Sequence, residues 1–139
     1  MNDLLEKIKR AERVFLVGNG GSYANAIHIA NDLLAVGVPA FTLDAATLTA
    51  TANDFSFEEV FSRWLQVVAG RNDLLIALSG SGTSKNIIKA LETAARIGMD
   101  SHLVTHYLRD FNMQQSEEEQ IAIGHQLHDA IMQYRQQCS

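Results

Sequence analysis

Leu74-Leu75-Ile76-Ala77-Leu78-Ser79-Gly80-Ser81-Gly82-Thr83-Ser84 is the stretch that decides the fold. Its five consecutive apolar residues, entered through Asp73, have no polar face, which suits a strand buried on both sides. From Ser84 to Ile97 apolar residues return at helical spacing, and Gly98 supplies the stop. A strand buried on both faces and feeding a helix is the building unit of a parallel sheet with helices above and below.

The same unit recurs upstream. Val14-Phe15-Leu16-Val17 is a short apolar run closed by Gly18, and Ser22 to about Val36 carries Ala26, Ile27, Ala30, Leu33 and Leu34 on the helix period. Gly37 and Pro39 follow its end. Ala40 to Leu43 reads as a second strand, and Phe57 to Val68 as a helix through Val60, Phe61, Trp64 and Leu65. Ser101 to Thr105 reads as a fourth strand. Ser116 to about Arg135 reads as a long last helix, with Ser116 and Glu119 as its capping box. The order β-α-β-α-β-α-β-α predicts an α/β fold, a three-layer αβα arrangement with an open parallel sheet of strand order 2-1-3-4. The competing reading is a helical bundle with apolar loops.

The 139 residues suit a single domain spanning 1–139, long enough to bury its own core. With 47% hydrophobic and 19% charged residues, disordered and low-complexity classes are excluded. Eleven basic against sixteen acidic side chains leave a net charge of −5, which argues against nucleic acid or an anionic membrane as partner. One cysteine, Cys138, allows neither an intrachain disulfide nor a thiolate zinc knot. The start lacks a basic segment followed by an apolar stretch, and no apolar run approaches the roughly 20 residues that span a bilayer. The expectation is a soluble, cytoplasmic protein.

Two strand-to-helix loops carry the candidate chemistry. In Gly18-Asn19-Gly20-Gly21-Ser22 the glycines let a ligand approach the backbone, and the free amides of the helix start attract an anion. As a dinucleotide fingerprint it fails at the third glycine, where Tyr23 stands; by itself it also reads as a tight turn. Ser79-Gly80-Ser81-Gly82-Thr83-Ser84 offers four hydroxyls without bulk, which suits a phosphate monoester, and it lacks the lysine of a nucleoside-triphosphate loop. With strand order 2-1-3-4 the winding reverses between the first and third strands, which carry these two loops. A small phosphorylated ligand is the expected occupant.

Histidines supply the second constellation. His28 and Asp32 are four apart on the first of these helices and share a face, with Asn25 one turn earlier. On the last helix Gln120, Gly124 and His128 recur at intervals of four. Two imidazoles, a carboxylate and an amide oxygen are a possible ligand set for zinc or a similar divalent ion. Gln120 and His128 lie about 12 Å apart along a straight helix, so that helix must meet the ion end-on or bend, with Gly124 permitting close contact, or the two ligands must come from different chains. His102, His106 and His125 read as ordinary surface or core residues.

Together these residues resemble the SIS (sugar isomerase) superfamily, and within it the phosphoheptose isomerases. The resemblance runs through Gly18 to Ser22 with His28, through Leu48 to Phe57 with Phe61-Ser62-Arg63, and over Asp73 to Gly98. It implies that Asn19, Gly20, Gly21, Ser22, Asn53, Asp54, Ser79, Gly80, Ser81, Ser84 and Gln120 hold a phosphosugar. It implies a metal bound by His28, Asp32, Gln120 and His128, with Asp32, His128 and Glu117 as candidate acid/base groups. The implied activity is aldose–ketose isomerisation of sedoheptulose 7-phosphate through an enediol, in a homo-oligomer, expected to be a tetramer. This chain differs from the family pattern at Asp32, where glutamate is usual, and between Leu33 and Pro39, which holds no basic residue. Between Thr105 and Ser116 there is no room for a final strand. A non-catalytic SIS module that binds a phosphosugar or a protein partner is the alternative.

Overall fold

The computed structural model describes residues 2–105 and 112–138. Its elements are α1 (Asn2–Arg10), β1 (Val14–Gly18), α2 (Gly21–Ala35), β2 (Ala40–Thr42), α3 (Ala45–Asp54), a 3-10 turn (Phe57–Glu59), α4 (Val60–Val68), β3 (Leu74–Leu78), α5 (Lys85–Ile97), β4 (Asp100–Val104) and α6 (Met113–Cys138). Among the described residues the sheet has four strands, all parallel, in the order β2-β1-β3-β4. That is the predicted order. His106 lies outside the described residues.

β1 and β3 are buried at every position, as their unbroken apolar runs require. Alternate residues serve two cores. Val14, Leu16, Leu74, Ile76 and Leu78 pack with Leu4 and Ile8 of α1, Ala26, Ile29 and Leu33 of α2, and Leu127 and Ile131 of α6. Phe15, Val17, Leu75 and Ala77 face Val60, Phe61 and Leu65 of α4 and Ile87, Ala90 and Ala94 of α5. Helices therefore cover both faces. α5 ends at Gly98 in the left-handed conformation (φ 82°), the predicted stop.

Three elements depart from the sequence reading. α1 precedes the first predicted strand and is anchored by Leu4 and Ile8, four residues apart. α3 buries no residue and begins at Asp44, whose side chain accepts from the Thr47 amide at 2.9 Å. α6 starts at Met113, so Ser116 and Glu119 do not cap it. Asn112 and Gln115 form the reciprocal box instead: each side-chain oxygen accepts from the other residue's amide at 2.9 Å.

α2 and α6 run in the same direction, each antiparallel to the strands. Ser22 meets Gln120, His28 meets His125, and the Gly37 carbonyl accepts from Arg135, at separations of 98, 97 and 98 residues. Gly124 makes this approach possible, because a Cβ there would lie 2.7 Å from Ile29 Cγ1. Among the described residues no helix is long and apolar enough to cross a membrane.

Candidate functional site

The carboxyl ends of β1 and β3 are neighbours, paired through Gly18 and Leu78, so the two loops that follow them emerge side by side. Asn19 of the first loop and Asn86, in the first turn of α5 just past the second, join them: each side-chain amide donates to the other's oxygen, at 2.8 and 2.9 Å. In the second loop Ser79 Oγ accepts from the Gly82 amide at 3.1 Å, and Ser81 Oγ accepts from the Thr83 amide at 3.2 Å. Both hydroxyls are used there as acceptors, and their protons remain available to a ligand. Thr105, past the end of β4, donates to the Gly80 carbonyl at 3.3 Å. Gly82 takes a positive φ of 69°, which the turn requires.

α2 begins directly after the first loop with no side-chain cap. Ser22 is buried and its Oγ accepts from Gln120 Nε2 at 3.0 Å, while Asn25 Nδ2 donates to Gln120 Oε1 at 2.9 Å. Gln120 thus has its amide consumed inside the α2–α6 interface, where the sequence reading had it ligating a metal. Beyond the next turn, His28 Nε2 lies 3.3 Å from Asp32 Oδ2 and 3.3 Å from His125 Nε2, and His125 Nε2 is 4.0 Å from the same carboxylate oxygen. Asp32 Oδ2 is buried without a hydrogen-bond partner. Two donors on a tetrahedral zinc, each about 2.0–2.1 Å from the ion, stand about 3.3–3.4 Å apart; the two contacts of His28 match that spacing, the His125–Asp32 separation of 4.0 Å is wider, and all three donor types suit a divalent ion.

His128 does not join this cluster. In the parallel register of α2 and α6, His125 is level with His28, whereas His128 comes nearly a turn later and its Nδ1 lies 3.0 Å from Asp129. The structure thus brings His125, rather than Gln120 and His128, to the His28–Asp32 pair, although the sequence reads His125 as an ordinary surface or core residue. A signal for it was present: Glu117 and His125 are also eight residues apart, the same spacing as Gln120 and His128. The Glu117 carboxylate rests on Gly21, at the start of α2. Asn53 and Asp54 are exposed at the end of α3, where Asn53 Nδ2 donates to Asp54 at 3.1 Å, and no hydrogen bond links either to the two loops. Tyr23, beside the first loop, donates to the Leu43 carbonyl at 2.8 Å; burial, then Asp44, holds its phenol above the ordinary value.

An open parallel sheet with two small-residue loops at its winding reversal defines the class, and the SIS domain family model matches residues 2–104. The chain belongs to that family. The phosphoheptose isomerase of Akkermansia muciniphila is 39% identical over 108 residues, covering 72% of this chain and 57% of that protein. The solved phosphoheptose isomerase from Francisella tularensis superposes with a TM-score of 0.84 at 27% identity, covering 95% of this chain and 84% of that one. For phosphoheptose isomerase GmhA from Neisseria gonorrhoeae the TM-score is 0.83 at 27% identity, over 94% and 81%. The chain spans about half the length of the curated relatives it matches.

Proposed function

We propose that this chain is a phosphosugar aldose–ketose isomerase whose substrate is sedoheptulose 7-phosphate, interconverted with an aldoheptose 7-phosphate. The observation that carries the reading is the His28–Asp32–His125 cluster on the two helices that flank the first loop, beside a hydroxyl-rich second loop. The similar proteins are named phosphoheptose isomerases, which supports a phosphorylated heptose as the substrate class.

Isomerisation moves one proton between adjacent carbons through an enediol, and it needs a base, an acid and a group that steadies the oxyanion. The serines of Ser79–Ser84 and the start of α5 hold the phosphate, which places the carbonyl end toward α2 and α6. Asp32, whose Oδ2 faces the two imidazoles, takes and returns the proton through its other carboxylate oxygen, and His125 takes the place beside it expected of His128. A divalent ion held by His28, Asp32 and His125, zinc by this donor set, would polarise the carbonyl and diol oxygens. Asn53 and Asp54, exposed and away from the loops, serve the site of a neighbouring subunit in a homo-oligomer.

A non-catalytic phosphosugar-binding module is the second reading, favoured by the half-length match to the curated relatives. The test follows conversion of sedoheptulose 7-phosphate by purified protein, chelated and then resupplied with zinc. Restored turnover that His28→Ala abolishes supports the isomerase. Ser79→Ala with Ser84→Ala is expected to weaken phosphosugar binding by at least about tenfold, since hydrogen bonds to a charged group contribute about 1.5–3 kcal/mol each. Protein that binds the phosphosugar but neither holds zinc nor turns substrate over is the binding module.

A further inference from the structure

β3 and β4 begin side by side, Leu74 level with Asp100, at the end of the sheet opposite the two loops. A cavity of about 470 Å³ opens there, lined by Lys7 and Arg10 of α1, Arg71 and Asn72 before β3, and Gly98 and Asp100 around the start of β4. None of these residues belongs to the site described above. The charge of the lining is lopsided. Asp73, also in the wall, is 2% exposed and already satisfied: Arg13 donates to its two oxygens at 3.1 and 2.7 Å, and the Gly70 amide at 2.7 Å. Asp100 is then the carboxylate that faces three cations. Arg10 donates to it at 2.8 Å, and Lys7 stands 4.0 Å away. Lys7 also donates to the Ser101 carbonyl at 2.8 Å and lies 3.3 Å from Asp3, which is exposed and outside the lining. Arg71 is different: among the described residues its guanidinium makes neither a hydrogen bond nor an ion pair. Its side chain lies across Gly98, where an added Cβ would be 3.7 Å from both Cγ and Nε. With Asp73 paired to Arg13, three cations against one carboxylate leave an excess of two positive charges, in a chain whose net charge is −5.

We propose that this cavity is a second ligand site, separate from the two loops, for a small organic dianion: a phosphate monoester or a dicarboxylate. Two guanidinium groups from different elements present forked donors, the geometry that carboxylate and phosphate oxygens match. Arg71 brings the uncommitted charge. Arg10 is held at the wall by Asp100, and its hydrogen bond keeps that carboxyl ionised, below the ordinary carboxylate range. Asn72, whose Nδ2 reaches Glu12 at 3.4 Å, offers its carboxamide oxygen to a ligand hydroxyl. The volume lies within the range of about 300–1,000 Å³ that small-molecule sites occupy, more than a bare ion fills. A dianion balances the excess of two charges, whereas a monoanion leaves one unmatched. The five residues of β3 separate the cavity from Ser79 by about 16 Å, at about 3.3 Å per residue, so the two ends of the sheet fill independently.

Amide spectra of the isotopically labelled chain, titrated with glycerol 3-phosphate, succinate and acetate, test this. The amides of Arg71, Asn72 and Gly98 are expected to shift and saturate with glycerol 3-phosphate or with succinate, at a dissociation constant below about 10 mM; whichever saturates more tightly names the anion class. Acetate, with a single charge, is expected to bind at least about tenfold more weakly. Arg71→Gln changes an exposed side chain without partners, so it is expected to leave the melting temperature where it was and to weaken the dianion at least about tenfold. The amides of Gly80 and Gly82 report the loops separately, so a failure of phosphosugar binding there leaves this inference standing. Cavity amides that saturate with neither dianion, that respond as strongly to acetate, or that titrate unchanged in Arg71→Gln overturn it.

Discussion

His125 shows how little a single residue reveals before its neighbours are placed. Spacing of eight selected Gln120 and His128 as readily as Glu117 and His125, and periodicity had no means of choosing between the pairs. The choice is made by packing: Gly124 sets α6 against Ile29, Gln120 is spent on Ser22 and Asn25, and the register then brings His125 level with His28. The role of Gly124 in allowing close contact, by contrast, was legible. His102 carries a separate consequence. Its imidazole is held below the ordinary value first by burial and then by Lys7, with Asp3 at 3.7 Å and Asp100 opposing them. The unfolded chain therefore binds this proton at higher pH than the folded chain does. Stability is expected to fall as pH drops from about 6.5 toward the lower folded value and to level off below it. Urea unfolding of the wild type and His102→Gln between pH 7.5 and 5 measures it; an equal slope in both leaves His102 without that role.

At the scale of elements, legibility followed burial. β1, β3 and α5 declare themselves because each has a face or a whole surface that must leave water, whereas α3 buries none of its ten residues and leaves no periodic trace. Its one local mark is the Asp44–Thr47 cap. The sequence places the start of α6 a turn late, because Ser116 and Glu119 match the capping pattern while Ser116 is an interior, buried residue. The working cap is Asn112 with Gln115. Asn112→Ala is expected to cost about 1 kcal/mol of stability in denaturant unfolding and to loosen the first turns of α6 in amide exchange. Ser116→Ala leaves those amides protected. The reverse pattern would restore the cap predicted from sequence.

For the whole molecule, strand order and the meeting of the two loops were readable because parallel β-α-β connections leave few topologies open. What the sequence carried only through resemblance was assembly. Asn53 and Asp54 stand exposed beside Phe55 and Phe57, themselves 57% and 55% exposed, with the Arg63 guanidinium 3.4 Å over the Phe55 ring. A homo-oligomer in which this surface meets a neighbouring subunit is the expectation, and light scattering at micromolar concentration checks it. Replacement of Phe55 and Phe57 by serine is expected to release monomers without unfolding the sheet. A wild type that is already monomeric removes the shared-site arrangement.

The Asn19–Asn86 pair has a consequence of its own. A carboxamide presents one donor and one acceptor side by side, so two of them facing each other form a self-complementary match that an aspartate on either side would spoil by setting acceptor against acceptor. The clasp ties the first loop to the start of α5, 67 residues away, into one rim when the chain folds. A ligand arriving there finds the rim already shaped, and the entropy of ordering two flexible segments is settled in folding rather than subtracted from each binding event.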